Sequence, residues 1–164
     1  MSRRLAAAVA VSATLAAACG GDGAAAICEP EERIIEPSSL HVIGDTDVVY
    51  ESSPPTSGPH QVPAPEGGIR TEALSEPLQV GTLETGAVIL QYQPGIAPGP
   101  LADLEALART EGVLVTPAAR PFDDGAAVAF TAWGVVQRCS EVDGDAAEAF
   151  IDDHLGVFFV NHDG

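Results

Sequence analysis

Ala87-Val88-Ile89-Leu90-Gln91-Tyr92 is the stretch on which the fold turns. It is apolar, of strand length, and too short for a buried helix. It reads as a central strand covered on both faces. Toward the C-terminus, Pro94 to Pro100 is a connector, and Pro100 suits the first position of a helix. Leu101, Leu104, Leu107 and Ala108 then form a one-sided stripe, and Gly112 is a natural stop. Val113-Leu114-Val115 is the next strand, ended by Pro117. Asp123-Asp124-Gly125 is a turn, and Ala126 to Arg138 reads as one long strand bent at Gly134. Asp145-Ala146-Ala147-Glu148 fits a capping box, opening a helix whose inner face is Ala147, Phe150, Ile151 and Leu155. Val157-Phe158-Phe159-Val160 is a candidate last edge strand.

On the N-terminal side of the central strand the signals change. Gln61 to Gln79 carries prolines and Gly67-Gly68 with little periodicity, and reads as a long irregular loop. Before it stands Tyr50-Glu51-Ser52-Ser53-Pro54-Pro55-Thr56-Ser57-Gly58-Pro59-His60. Three prolines fix φ and disfavour helix before them, and Gly58 permits a positive φ. The expectation is a stiff loop that turns sharply and presents His60. Leu40 to Ile43 and Val48 to Tyr50 read as a hairpin around Gly44-Asp45-Thr46-Asp47, aiming that loop. The order of elements predicts an α+β, two-layer domain: a mixed, mainly antiparallel sheet with two helices packed on one face.

The first 28 residues concern address. Arg3 and Arg4 precede an apolar run, Leu5 to Ala18, and then Cys19. That is the layout of a secretory signal, and the run falls short of the roughly 20 residues that a membrane-spanning helix needs. Leu15-Ala16-Ala17-Ala18-Cys19-Gly20 is similar to a bacterial lipoprotein signal, with the large apolar residue one place further from the cysteine than usual. The resulting organisation is a signal peptide at 1–18, a lipidated Cys19 with a flexible tether at 19–27, and a single globular domain at 28–164. An ordinary signal cut in the same region is the alternative. Removal of Arg3 and Arg4 leaves five of the seven basic residues against 24 acidic ones, moving the formal charge from −17 to −19. Such a surface repels phosphate backbones and anionic lipid alike. No nucleic acid partner is expected, and contact with a membrane is expected only through the N-terminal lipid. The predicted location is outside the cytoplasm, on the cell membrane or outer membrane. Cys28 and Cys139 remain as an even pair, read either as one disulfide in an oxidising compartment or as two buried thiols.

The chain resembles the bacterial family catalogued as domain of unknown function 3105. The matching pieces are His41-Val42, Tyr50, Pro54-Pro55-Thr56-Ser57-Gly58-Pro59-His60, Glu84 with Gly86, Ala132-Trp133-Gly134 and Phe150-Ile151. The resemblance implies a secreted or anchored extracytoplasmic domain and brings no activity. It also implies that the loops bearing His60 and Glu84 are neighbours, with side chains within about 8 Å. In relatives the stretch before the apolar strand reads His-x-x-Glu-His-Gly. Here it is Gly81-Thr82-Leu83-Glu84-Thr85-Gly86, so only the glutamate and glycine remain.

His41, His60 and Glu84 are therefore the inherited candidate metal ligands. Imidazoles with a carboxylate suit zinc, copper or iron, and three ligands can hold a catalytic zinc with one open position. The competing reading makes His60 a turn-capping residue and His41 a strand residue. Ser57 beside His60 lacks the Gly-x-Ser-x-Gly elbow of a hydrolase and reads as a turn serine. The aspartate pairs (45 and 47, 123 and 124, 143 and 145) lack the twelve-residue calcium-loop spacing and read as turn and cap residues. Trp133 reads as packing, and His154 and His162 as exposed. No catalytic residue and no cofactor is assigned. The expectation is a non-catalytic envelope lipoprotein, a binding or interaction module with a decayed histidine-rich site. The alternative is a zinc- or copper-binding extracytoplasmic domain.

Overall fold

Side chains along a strand point alternately to opposite faces, and β3 (Val88–Tyr92) uses this to join two separate cores. The computed structural model describes residues 26–44, 46–62 and 64–157. Val88 and Leu90 belong to a cluster with Val113, Val115, Val128, Phe130, Leu104 and Phe150. Ile89, between them, packs instead with Leu74, Leu83 and Leu114. All three β3 residues are fully buried, as an apolar run covered on both faces requires.

The other strands are β1 (Glu32–Arg33), β2 (Gly68–Ile69), β4 (Val113–Pro117), β5 (Val128–Ala132) and β6 (Val135–Cys139). They form one sheet in the order β1-β6-β5-β3-β4-β2. The β1–β6, β5–β6 and β3–β5 pairs are antiparallel, and β3–β4 and β2–β4 are parallel. The protein is thus α+β with a mixed open sheet, as its element order implied.

Three helices are present among the described residues, one more than the sequence patterns suggested: α1 (Glu76–Glu84), α2 (Pro98–Leu107) and α3 (Gly144–His154). Helix α2 starts two residues before Pro100 and buries Leu104. Helix α3 starts earlier than expected, because Asp143 rather than Asp145 is its N-cap: the Asp143 carboxylate accepts from the Ala146 N–H at 3.0 Å. It buries Ala147, Phe150 and Ile151, as read from its stripe.

Four local expectations are corrected. The stretch 126–138 is a tight hairpin, not one bent strand. Gly134 adopts φ +73°, which reverses the chain, and its N–H donates to the Thr56 carbonyl at 2.8 Å. Residues 40–43 do not pair with 48–50. His41 instead forms a parallel bridge with His60, because Val42 N–H donates to the His60 carbonyl and His60 N–H to the Leu40 carbonyl. The span 61–79 is not wholly irregular, since it contains β2 and the start of α1. Finally, His154 is not exposed: its ring lies against Phe150, with centroids 4.5 Å apart, and Nε2 is 3.1 Å from Glu31 Oε2. The expected strand at 157–160 and His162 lie outside the described residues, apart from Val157, as do the signal and Cys19.

Cys28 and Cys139 form a disulfide with Cα atoms 4.0 Å apart. Backbone bonds flank it, Ser140 N–H to Ile27 O and Glu29 N–H to Arg138 O, both 2.8 Å. The bridge therefore staples the N-terminal strap across β6. A disulfide fits an oxidising compartment, and no helix among the described residues is long and apolar enough to cross a membrane.

Candidate metal centre

Residues 52–57 of the Pro-rich loop are all buried, so the loop is part of the interior. Its polar groups are matched within the protein. Thr56 Oγ1 donates to the Ile34 carbonyl at 2.5 Å, and Ser57 Oγ accepts from Glu36 N–H at 2.8 Å. Ser53 N–H donates to Asp123 Oδ2 at 2.7 Å and its hydroxyl to the Pro121 carbonyl at 2.9 Å. Arg120 donates to the Ser52 carbonyl at 2.8 Å. These bonds explain why serine and threonine alternate with proline here. Ser57 Oγ is spent on Glu36 and Ile34 of the N-terminal strap, a tertiary bond rather than the local turn bond expected of it.

The loop ends at His60, which is completely buried. Its Nδ1 lies 2.9 Å from the Gly58 carbonyl. A carbonyl oxygen can only accept, so Nδ1 carries a proton. That assignment leaves Nε2 as the atom available for chemistry. Nε2 is 2.8 Å from Glu84 Oε2. Nε2 is buried and faces that carboxylate oxygen: a neutral ring held through Nδ1 turns its Nε2 lone pair on Oε2, whereas a charged ring would pair with it. Glu84 is the last residue of α1, not a loop residue, and its carboxylate is partly open to solvent. His41 completes the group: Nε2 is 3.5 Å from Glu84 Oε2, and its side chain is 56% exposed. The His41 and His60 rings meet edge to face with centroids 4.8 Å apart. Trp133 closes the inner side, its ring 5.8 Å from His60 and nearly perpendicular to it.

The three ligand atoms lie within 4.8 Å of one another. Ligands at 2.0–2.1 Å from a tetrahedral zinc stand about 3.3 Å apart. The separations of 2.8 and 3.5 Å bracket that value. The full spread of 4.8 Å closes to that value if the exposed His41 side chain moves by about 1.5 Å on that geometry. A buried imidazole nitrogen facing a carboxylate, with a second imidazole alongside, fits the donor set of zinc, copper or iron.

The family model described as a protein of unknown function, DUF3105, matches residues 41–158. The chain belongs to that family. No curated protein and no solved structure matches it. The DUF3105 match takes in His41, His60 and Glu84 together, and with them the loop that presents His60.

The structure also gives a physical reason for glycine at position 81. A Cβ there would stand 2.1 Å from the Gln61 carbonyl oxygen. The segment after His60 runs directly over α1, tied by Gln61 N–H to the Pro77 carbonyl at 3.0 Å. A histidine at 81 cannot be added to this chain without displacing that segment. Thr85 is exposed and meets no such barrier. What the sequence reading missed is this close approach, and with it the helix that carries Glu84. Of the aspartates, Asp123 holds Ser53 and Asp143 caps α3, and Asp45 lies outside the described residues.

Proposed function

We propose that this DUF3105 protein is a non-catalytic extracytoplasmic domain that holds a divalent transition metal ion, zinc or copper, through His41, His60 and Glu84. The domain is exported by its N-terminal signal and held at the membrane through lipidated Cys19. The observation that carries the metal reading is His60 Nε2, buried and 2.8 Å from Glu84 Oε2 while Nδ1 is committed to Gly58. A neutral imidazole so held turns a lone pair on a carboxylate oxygen, and a cation bound by both removes that repulsion. The disulfide supports the extracytoplasmic part of the reading.

A second reading is favoured by the 2.8 Å separation of His60 and Glu84, which is also that of a charged imidazolium–carboxylate pair. In that case the pair only locks the loop to α1, and the site is a decayed one in a binding or interaction module. Titration separates the two. Trp133 is the single tryptophan and sits beside His60, so copper(II) bound there quenches its fluorescence. The metal reading expects saturable quenching at micromolar copper or below, lost in His60→Ala. Equal quenching in both proteins, or none, would refute it and leave the structural pair.

A further inference from the structure

A metal-ligating histidine works only if its ring is held with the right nitrogen outward, and outer partners usually set that orientation. Here the partner of Nδ1 is a backbone carbonyl, Gly58 O, so the orientation depends on what fixes that peptide. The bonds from Ile34, Glu36, Pro121 and Arg120 hold residues 52–57 and stop at Ser57. Across the next two residues the side chain that takes over is Tyr50.

Tyr50 is buried, and its hydroxyl donates to the Pro59 carbonyl. Its ring lies flush against Gly58: a Cβ at that glycine would stand 3.1 Å from Tyr50 Cε1 and 3.3 Å from Cδ1. The Glu36 side chain presses on the same point, at 3.1 Å, and Glu36 Oε1 accepts from Glu51 N–H at 2.8 Å. Gly58 itself has φ +116°, a conformation that other residues rarely adopt. The tyrosine thus grips two consecutive residues, one by its ring and one by its hydroxyl, immediately before the ligand.

We infer that Tyr50 is the positioning residue of this centre, fixing the Gly58–Pro59 backbone so that the Gly58 carbonyl holds the His60 Nδ1 proton and Nε2 is presented to the ion. The inference rests on the metal reading above and adds the device that makes His60 a competent ligand. Burial, aided by the negative charges of Glu76 and Glu36, pushes the phenol pKa above its ordinary value. The hydroxyl therefore stays a donor throughout the range in which imidazoles titrate.

The test is Tyr50→Phe, which keeps the ring and removes the donor, with Tyr50→Leu removing both. Zinc affinity is measured on the full chain by competition with a chromophoric chelator. Loss of an outer partner of a ligating histidine typically weakens binding 10- to 100-fold. Tyr50→Phe leaves that partner, the Gly58 carbonyl, in place and frees only the peptide beside it, so a loss of up to about tenfold is expected, with a larger one for Tyr50→Leu. A ring-nitrogen NMR measurement on the metal-free protein tests the mechanism directly. Wild type should show His60 protonated on Nδ1 alone or on both nitrogens, never on Nε2 alone, and Tyr50→Phe should lose this fixed state. Unchanged zinc affinity together with unchanged His60 nitrogen signals in Tyr50→Phe would overturn the inference. If wild type binds no zinc, the metal reading falls, while the ring-nitrogen comparison still decides whether Tyr50 positions His60.

Discussion

Replacing His60 by alanine should lower stability and abolish metal linkage, and the two effects separate by experiment. The ring is completely buried. Removing it orphans the Gly58 carbonyl, which loses its 2.9 Å partner; an unsatisfied buried acceptor costs about 1–3 kcal/mol. The void left between Trp133 and His41 adds a cavity term, so the total is roughly 2–4 kcal/mol. The lost contact with Glu84 adds little, because that carboxylate reaches solvent. Urea unfolding followed by Trp133 fluorescence, with a chelator present, measures this metal-free cost. The same titration at free zinc one hundred times the dissociation constant should stabilise wild type by about 2.7 kcal/mol. His60→Ala should show no such gain. If the mutant gains as much from zinc as wild type does, the ions bind elsewhere and the site is misassigned. If it is as stable as wild type within about 0.5 kcal/mol in chelator, the ring is not embedded as described.

Reducing the Cys28–Cys139 bridge, which spans 111 residues, should cost about 4–5 kcal/mol in the chain-entropy picture; an unchanged urea midpoint after reduction would contradict it. Gly81→Ala should destabilise by roughly 2 kcal/mol or more, since its Cβ meets the Gln61 carbonyl; a wild-type midpoint would show that the segment yields freely. Thr85→His, at an exposed position next to Glu84, should tighten zinc binding about tenfold by adding an imidazole, and equal affinity would mean that position 85 faces away from the ion. Cys19→Ala should move the protein from the membrane to the soluble fraction, and retention through high-salt washes would rule out the lipid as anchor.

Much of the second half of the fold was legible because its elements obey simple periods. The Ala87–Tyr92 run, the Leu104 stripe and the Ala147-Phe150-Ile151 face each carry a pattern that burial alone imposes. Helix α1 carries none. Gln79, Val80, Gly81, Thr82 and Leu83 are all buried, so no polar face alternates with an apolar one, and Gly81 and Thr82 lower its helix propensity. Its helicity comes from tertiary packing, Leu83 against Ile89 and Leu114 and Gly81 under the segment that follows His60. The β5–β6 hairpin was hidden for a related reason. Gly134 supplies the positive φ of the turn, but a lone glycine after Trp133 reads equally as a strand bend, and the bond from Gly134 to distant Thr56 that holds the reversal is not visible in the sequence.

The site itself was legible as a set of residues and not as a structure. That His41, His60 and Glu84 belong together came from a family pattern, and their separations of 2.8 and 3.5 Å agree with it. The pattern could not say that one histidine would be sealed in the interior and the other 56% exposed. That asymmetry follows from local chemistry. His60 closes a loop whose side-chain hydroxyls are bonded within the protein, whereas His41 sits between Leu40 and Ile43, which are themselves exposed. An ion held here would have two ligands on rigid backbone, one at the end of α1 and one clamped beside Gly58, and a third on an exposed strand end. Exchange with solvent would then proceed by release of His41 first. His41→Ala should therefore speed zinc loss to a chelator while His60 and Glu84 still bind, weakening affinity by less than His60→Ala does. Equal losses from the two mutants would show that the histidines act as equivalent ligands and that burial has no part in retaining the ion.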